Sequence, residues 1–190
     1  MARSVVSIYN QALARLGGEQ LESVESTWED SALGRLCNNN FPEILDEALS
    51  RHDWSFALKS QALALKGESD RPDYIYRYGL PTDCLRAVEL LSGGTFVIEG
   101  IDILTSTSPP TLLYVTRVED PRRWPPAFAT SLSWALAATL ATSKVNDKQM
   151  QQYCLQNYEI TIADAIARDL NQSLPVYPRS KWVLSRGGEL

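Results

Sequence analysis

The hydrophobic pattern of this chain changes its period twice, and that change limits the folds open to it. On both sides of residues 54–118 the apolar residues recur every three or four positions, as on one face of a helix. Within that range they alternate with other residues, as in two runs: Trp54, Phe56 and Leu58, and then Tyr74, Tyr76 and Tyr78. The sequence therefore predicts an α+β fold in which a β region interrupts a helical part.

The helical part has four predicted helices, two before the β region and two after it. Residues 4–16 form the first, and Gly17-Gly18 ends it because glycine adopts the left-handed conformation of a helix C-cap without steric cost. After the β region, Pro125-Pro126 begins a helix that is apolar nearly all round and is expected at the centre. Asn146-Asp147 begins the last helix, whose apolar residues recur four apart over residues 150–170. We expect the four helices to pack as a four-helix bundle.

The remaining helix carries a proline inside its apolar stripe. It begins after Ser26 or Thr27, each of which has an acidic residue three positions later, as in a capping box. The ring of Pro42 clashes with the carbonyl four residues back. We therefore expect a kink or a short break near residues 39–41.

Short strands are predicted for the β region, as follows: 54–64, 74–79, 84–91, 95–99, 101–105 and 111–118. Residues with turn chemistry, such as Leu80-Pro81 and Ser92-Gly93-Gly94, separate them. Short strands joined by short turns favour an antiparallel sheet, a sandwich or a small barrel.

The domain prediction follows these changes of pattern. Residues 1–53 and 121–172 form the helical bundle, and residues 54–120 form a β domain inserted in it. Residues 173–190 form an extended C-terminal arm broken by prolines. Because exposed large apolar residues mark contact surfaces, we predict that the arm binds a partner rather than its own domain. The predicted contacts are Pro175, Val176, Tyr177, Trp182, Val183 and Leu184.

The composition argues against several classes of protein. A net charge of −5 and a pI of about 5.0 do not suit a protein that grips nucleic-acid phosphates. We expect no membrane span, because no apolar run approaches the roughly 18 residues that one requires. The N-terminus leads directly into an amphipathic pattern, so we expect no signal peptide. Cys37, Cys84 and Cys154 lack metal-site spacing and are expected to be reduced thiols.

The sequence also contains few residues or motifs that are typical of catalytic sites. His52 is the only histidine, so a Ser-His-Asp system or a multi-histidine metal site would have to include it. No phosphate-binding glycine motif is present, and acidic pairs such as Glu29-Asp30 are explained by capping and solvation. We therefore predict that the chain is not an enzyme and has no catalytic residue, metal site or cofactor.

Short motifs in a particular order give the chain a resemblance to a known family. In order along the chain they are Leu16-Gly17, Phe41-Pro42, Ile44 to Leu49, Trp54 to Ala57, Tyr76 to Arg86 with Leu80-Pro81-Thr82-Asp83-Cys84-Leu85-Arg86 at its core, Ile98-Glu99-Gly100, Ile103 to Thr105, Leu113 to Val118, Phe128 with its Ala- and Leu-rich helix, and the long final helix that ends near Asp169. Over residues 5–170 this order resembles the tail tubular protein A group of tailed phages, the head-to-tail adaptors placed beneath the portal.

The resemblance implies a structural virion protein at the head-tail junction, made in the cytoplasm of the host bacterium. Its implied partners are the portal protein, the tail nozzle or tail-tube protein, and further copies of itself in a ring. By analogy with the family the ring has about twelve copies, and DNA passes through its lumen without specific binding. We also predict intersubunit ion pairs for Arg77, Arg86 and Arg117.

Three other readings of the sequence remain open. Another phage neck or tail-completion protein, such as a stopper or terminator, would share the ring but contact other partners. An enzyme could gather distant carboxylates in a cleft. A DNA-binding protein could use a local basic patch around Arg122-Arg123, although the net charge disfavours it.

Overall fold

The computed structural model describes residues 4–17, 21, 31–142 and 147–172, which contain both helices and strands. The helices are α1 (Val5–Arg15), α2 (Ala32–Ser50), α3 (Pro126–Leu140) and α4 (Lys148–Gln172), and a short 3-10 helix (Pro121–Arg123) precedes α3. The strands are β1 (Leu58–Ala62), β2 (Leu65–Glu68), β3 (Tyr76–Gly79), β4 (Cys84–Leu90), β5 (Phe96–Glu99), β6 (Asp102–Thr105) and β7 (Thr111–Thr116). The order of elements is therefore the α-β-α order that the change of period predicts.

The strands form two antiparallel sheets. One has three strands in the order β1-β7-β4, and the other has four in the order β2-β3-β6-β5. Side chains from both sheets meet in one buried cluster: Leu63, Tyr78, Leu90, Ile103, Leu112 and Tyr114. The two sheets thus pack against each other, and the antiparallel pairing expected from short strands and short turns is present.

The predicted four-helix bundle is wrong. The structure is α+β, with four helices in its described part and two antiparallel sheets of three and four strands. The larger buried cluster holds residues of all four helices together with Trp54, Val115 and Val118, which belong to the β region or its ends. The three-stranded sheet therefore helps to close the core around the helices. Helical periodicity identifies an apolar face, but it does not say whether a helix or a sheet covers it.

Helix α3 lies at the centre of the helical part, as its composition predicts. It contacts α1, α2 and α4, and ten of its 15 residues are buried. Its Phe128 ring centroid lies 4.9 Å from that of Trp54 and 6.2 Å from that of Trp124. Those two tryptophans come just before and just after the strands, so α3 anchors both ends of the β region.

Both tryptophans are also tied by hydrogen bonds. The indole N–H of Trp54 donates to the carbonyl of Ala48 at 2.9 Å, and that of Trp124 donates to the carbonyl of Val118 at 2.8 Å. Since neither indole is left with an unpaired donor, both can be buried at little polar cost.

Several predicted boundaries change. Helix α2 is capped by Ser31, whose hydroxyl accepts from the N–H of Gly34, and it continues through Pro42 without a break. Residues 54–57 form turns, so the first strand begins only at Leu58. Strand β2 was missed, because Gly67 and its neighbours have turn composition. Gly67 instead sits at a β-bulge, the irregularity that glycine permits inside a strand.

The buried stripe of α4 also differs from the prediction. Residues spaced four apart advance by about 40° per step around a helix, so a run from residue 150 to residue 170 cannot stay on one face. The residues that are buried follow a mixed spacing of four and three: Cys154, Tyr158, Ile162, Ala165 and Asp169. Leu170, predicted to be buried, is 52% exposed, and the carboxylate of Asp169 is buried beside it.

Candidate interaction surfaces

A buried carboxylate joins α4 to the segment that leads from α2 into the sheet. Asp169 accepts hydrogen bonds from the main-chain N–H of Ser55 at 3.1 Å and from the Ser55 hydroxyl at 2.6 Å. The Nε2 atom of His52 lies 3.2 Å from the same carboxylate. The Asp169 side chain is 3% exposed, so these groups supply the partners that water would otherwise provide.

The three residue types are those of a catalytic triad, but their arrangement is different. In a triad the histidine receives the serine proton and the carboxylate orients the histidine. Here the single hydroxyl proton of Ser55 goes to Asp169, and His52 approaches that same carboxylate. This geometry holds the segment in place and does not activate the serine.

The structure places Arg77, Arg86 and Arg117 in ion pairs within one protomer. Arg77 lies 2.8 Å from Asp70 and 3.3 Å from Asp102. Arg86 pairs with Asp53 at the end of α2, and Arg117 lies 2.8 Å from Asp46 within α2. The last two pairs connect the three-stranded sheet to the helical part. An intersubunit role for these arginines stays a prediction.

A second polar cluster surrounds Asp83, in the segment Leu80 to Arg86 that carries much of the resemblance. Its carboxylate lies 2.7 Å from the Lys59 ammonium, and it accepts from the hydroxyls of Tyr114 at 2.9 Å and Thr116 at 3.1 Å. The Lys59 hydrogen bond, helped by the two hydroxyls, holds the pKa of Asp83 below its usual range. The cluster connects all three strands of one sheet and accounts for this aspartate structurally.

Metal-ligand groups and membrane-spanning helices are both absent from the part of the chain that the structure describes. Among the residues 4–17, 21, 31–142 and 147–172, no group of three or more His, Cys, Asp and Glu side chains is placed to hold a metal ion. None of the helices in the same ranges is both long and apolar enough to cross a membrane. The described residues line a cavity of about 250 Å³ between α3 and α4, whose lining includes Thr130 and Arg168, and another of about 450 Å³ beside β4 and β5, whose lining includes Glu89 and Thr95.

Exposed large apolar side chains in the described residues fall into two groups. The first is on and beside the strands and is called here the sandwich surface: Leu65, Ile75, Leu91, Ile98 and Ile101. The second is on the last helix and is called the α4 surface: Tyr153, Leu155, Ile160 and Leu170. Ile101 and Ile160 are 74% and 68% exposed, so each surface includes an apolar side chain that is mostly open to solvent.

Two members of the sandwich surface are exposed for a clear structural reason. Leu65 and Ile98 lie on the two edge strands of the four-stranded sheet, in the same cross-strand row as the buried Tyr78 and Ile103. Residues paired in one row point to the same face of a sheet. The inner face of this sheet therefore extends beyond the area that the three-stranded sheet covers, and its margins stay open for another molecule.

The predicted arm contacts cannot be placed. Pro175, Val176, Tyr177, Trp182, Val183 and Leu184 all lie outside the described residues, as do the candidate caps Ser26 and Thr27. The partner-binding role of residues 173–190 stays a prediction from sequence.

Comparison with protein-family models and with curated proteins adds no relative. The chain matches no protein-family model, and a search of curated proteins finds no match. The resemblance to the phage adaptors therefore depends on the ordered motifs alone.

Neither the Asp169 cluster nor the α4 surface is predicted from the sequence. A signal for the first was available, since Asp169 falls seven residues after Ile162, on the apolar side of α4. An acidic residue at such a position must find partners or shift its ionisation. Its partners come from residues more than 100 positions away, and single-sequence reasoning does not connect them.

Proposed function

We propose that this chain is a structural virion protein, a head-to-tail adaptor that forms a ring between the portal and the tail nozzle or tube of a tailed phage. The ordered motifs over residues 5–170 suggest the family. The observation that carries the proposal is the presence of two unlike apolar surfaces on one protomer, one on the strands and one on α4.

Two unlike surfaces are what a ring of identical subunits requires. In a cyclic ring each subunit contacts its two neighbours through different patches, whereas a two-fold dimer uses one patch twice. The sandwich surface of one copy and the α4 surface of the next supply such a pair. Several large apolar side chains on each surface are about half exposed or more, so each could be covered by a neighbouring subunit.

The ion pairs between the β region and α2 also suit this role. Arg86 with Asp53, and Arg117 with Asp46, hold the sheet against the helical part. A subunit that carries load between a head and a tail benefits from having its two contact surfaces fixed relative to each other. The partial exposure of both pairs limits each to about 1 kcal/mol or less, so their role is orientation more than stability.

The proposed partners follow from this reading. They are the portal protein, the tail nozzle or tail-tube protein, and other copies of the chain in a ring of about twelve. DNA would pass through the lumen without specific binding, because a net charge of −5 repels phosphates. The protein would be made in the cytoplasm of the host bacterium and reside at the head-tail junction of the virion.

The test is assembly on a portal. Electron microscopy of the full chain mixed with portal protein is expected to show a coaxial ring. The variant Ile101→Asp, which places a charge on the sandwich surface, is expected to fold but to lose the ring. The matched control is Gln11→Asp, which adds the same charge at an exposed position of α1. A chain that stays monomeric with every portal tested would contradict the proposal, and binding only to a tail-tube protein would favour a stopper or terminator.

Removal of residues 174–190 tests the arm separately. We expect the shortened chain to stay folded, because the buried clusters are formed by residues 6–165. Portal docking is expected to weaken or disappear. Normal assembly of the shortened chain would show that the arm is dispensable while leaving the ring itself intact.

A further inference from the structure

Helix α4 carries a second stripe of uncharged residues on the side away from its own core, apart from Tyr153, whose ring also packs edge-on against Trp134 with the two ring centroids 5.9 Å apart. The stripe, called here the outer seam, has residues spaced alternately three and four apart: Tyr153, Gln156, Ile160, Ala163, Ala167 and Leu170. All six are exposed, and none is charged. Alternating steps of three and four are the spacing at which two helices pack side by side in a coiled coil. The seam is therefore shaped for a helix as its partner.

We propose that in the free protein the outer seam packs against the outer seam of a second copy, with the two α4 helices antiparallel. In that arrangement Ile160 of each copy lies opposite Ala163 of the other, and Gln156 lies opposite Ala167. A large side chain thus faces a small one in each of the central layers, which is the alternation that lets facing helices interdigitate. Tyr153 and Leu170 meet at the two ends and close the seam.

A parallel pairing of the same seams fits poorly. Identical residues would face each other, so Ala163 and Ala167 would meet their own copies and leave the lower half of the seam underfilled. The flanks would also conflict, because Glu159 of one helix would face Asp164 of the other. In the antiparallel pair Glu159 faces Ile166 and Asp164 faces Asn157. Both acids then keep their own arginine partners, Arg51 and Arg168.

The contact is small enough to open again. From Tyr153 to Leu170 the seam is about 25 Å long at the helical rise of 1.5 Å per residue. One helix pair of that length covers less than the roughly 800 Å² per partner of a standard stable interface. The dimer is therefore weak and exchangeable. Its two-fold symmetry also makes it incompatible with a cyclic ring contact through the same helix, so assembly of a ring has to open it.

This inference does not depend on the proposed function, and sedimentation of the full chain over a range of concentrations tests it. A reversible monomer–dimer equilibrium is expected. Ile160→Arg places a charge at the centre of the seam and should weaken the dimer by about tenfold or more. The matched control is Gln11→Arg, which adds the same charge at an exposed position of α1 outside the seam and outside both apolar surfaces, and it should leave the equilibrium unchanged. Equal effects of the two variants, or a chain that is monomeric at every concentration, would overturn the proposal.

Cysteine crosslinking tests the direction of the helices. A mixture of the full-length variants Gln156→Cys and Ala167→Cys should give a disulfide between the two variants, whereas neither alone should link to itself. Self-linking of Gln156→Cys would show a parallel pair and refute the antiparallel one.

A double variant with Gln156→Cys and Trp182→Cys tests whether the chain's own last residues occupy the seam, because a disulfide that forms within one chain would place them there. Either result rules out the proposed pair. Loss of the ring in Ile101→Asp with the dimer retained would separate this contact from the ring contact.

Discussion

The carboxylate of Asp169 accepts two hydrogen bonds from Ser55, one from its main-chain N–H at 3.1 Å and one from its hydroxyl at 2.6 Å. These residues are 114 positions apart, and the contact fixes the end of α4 against the segment that begins the β region. The segment contains few residues of regular structure, so the carboxylate supplies the partners that a helix or sheet would otherwise provide.

Replacing this carboxylate should be costly. Asp169→Ala leaves the Ser55 donors without their acceptor and is expected to lower the free energy of unfolding by about 2–4 kcal/mol. Urea denaturation measures the change. The control is Asp164→Ala on the same helix, which removes an exposed pair with Arg168 and should cost less than about 1 kcal/mol. Equal losses in the two variants would show that Asp169 has no special role.

Acid should weaken the sheet through Asp83. Its pKa is lowered in the folded protein, first by the hydrogen bond from Lys59, so folding favours the charged form. The stabilisation is fully present above the unfolded-state pKa of about 4 and disappears as the pH falls through the lower folded-state pKa. Asp83→Asn is therefore expected to be less stable than the parent at pH 7 and to lose less stability on acidification. Denaturant titrations from pH 7 to pH 2 measure this, with the 92% exposed Asp70→Asn as the control. If Asp83→Asn lost as much stability as the parent between pH 7 and pH 2, the prediction would be contradicted.

The aromatic cluster around α3 should be a main source of stability. Phe128 is fully buried and its ring contacts those of Trp54, Phe56 and Trp124. Phe128→Ala is expected to lower the free energy of unfolding by about 3–5 kcal/mol, because it removes apolar contacts and leaves a cavity. Chemical denaturation followed by tryptophan fluorescence measures it. Ile101→Ala, at a site that is 74% exposed, should change stability by less than about 0.5 kcal/mol.

Helix α2 should become more stable without its proline. Pro42 is exposed inside a continuous helix, where it lacks the N–H that would complete the hydrogen-bond ladder. Pro42→Ala is expected to raise the free energy of unfolding by about 1–2 kcal/mol, since the gain of about 3 kcal/mol in helix propensity is partly offset by a more flexible unfolded chain. Thermal unfolding by circular dichroism measures the change. A loss of stability would mean that the ring of Pro42 makes contacts worth more than the missing hydrogen bond.

The elements that could be predicted from the sequence are those set by local pattern. Six strands and the positions of α1, α3 and α4 follow from periodicity and turn residues, and the left-handed Gly17 ends α1 as expected. The errors arise where distant residues decide the outcome. The alternation at Trp54 and Phe56 looks like a strand, yet the rings of both residues pack on Phe128, 72 or more positions along the chain. The four-helix bundle prediction is wrong for the same reason, because long-range packing decides whether a helix or a sheet packs against the apolar face of a helix.

The candidate surfaces also depend on features that a local sequence pattern does not show. Leu170 was predicted to be buried because it lies four residues after Ile166, and only the accumulated rotation along α4 shows that it faces outward. The edges of the four-stranded sheet could not be found from one sequence, since strand order is a matter of long-range pairing.

The two indole hydrogen bonds have a mechanical consequence. Trp54 and Trp124 fasten the polypeptide at the point where it leaves the helices and at the point where it returns, each to a carbonyl six residues away. The strands are therefore held to the rest of the protomer at two separate points, which limits rotation of the two sheets relative to the helices. Both connections between the helices and the strands are thus held by a buried ring as well as by the chain itself.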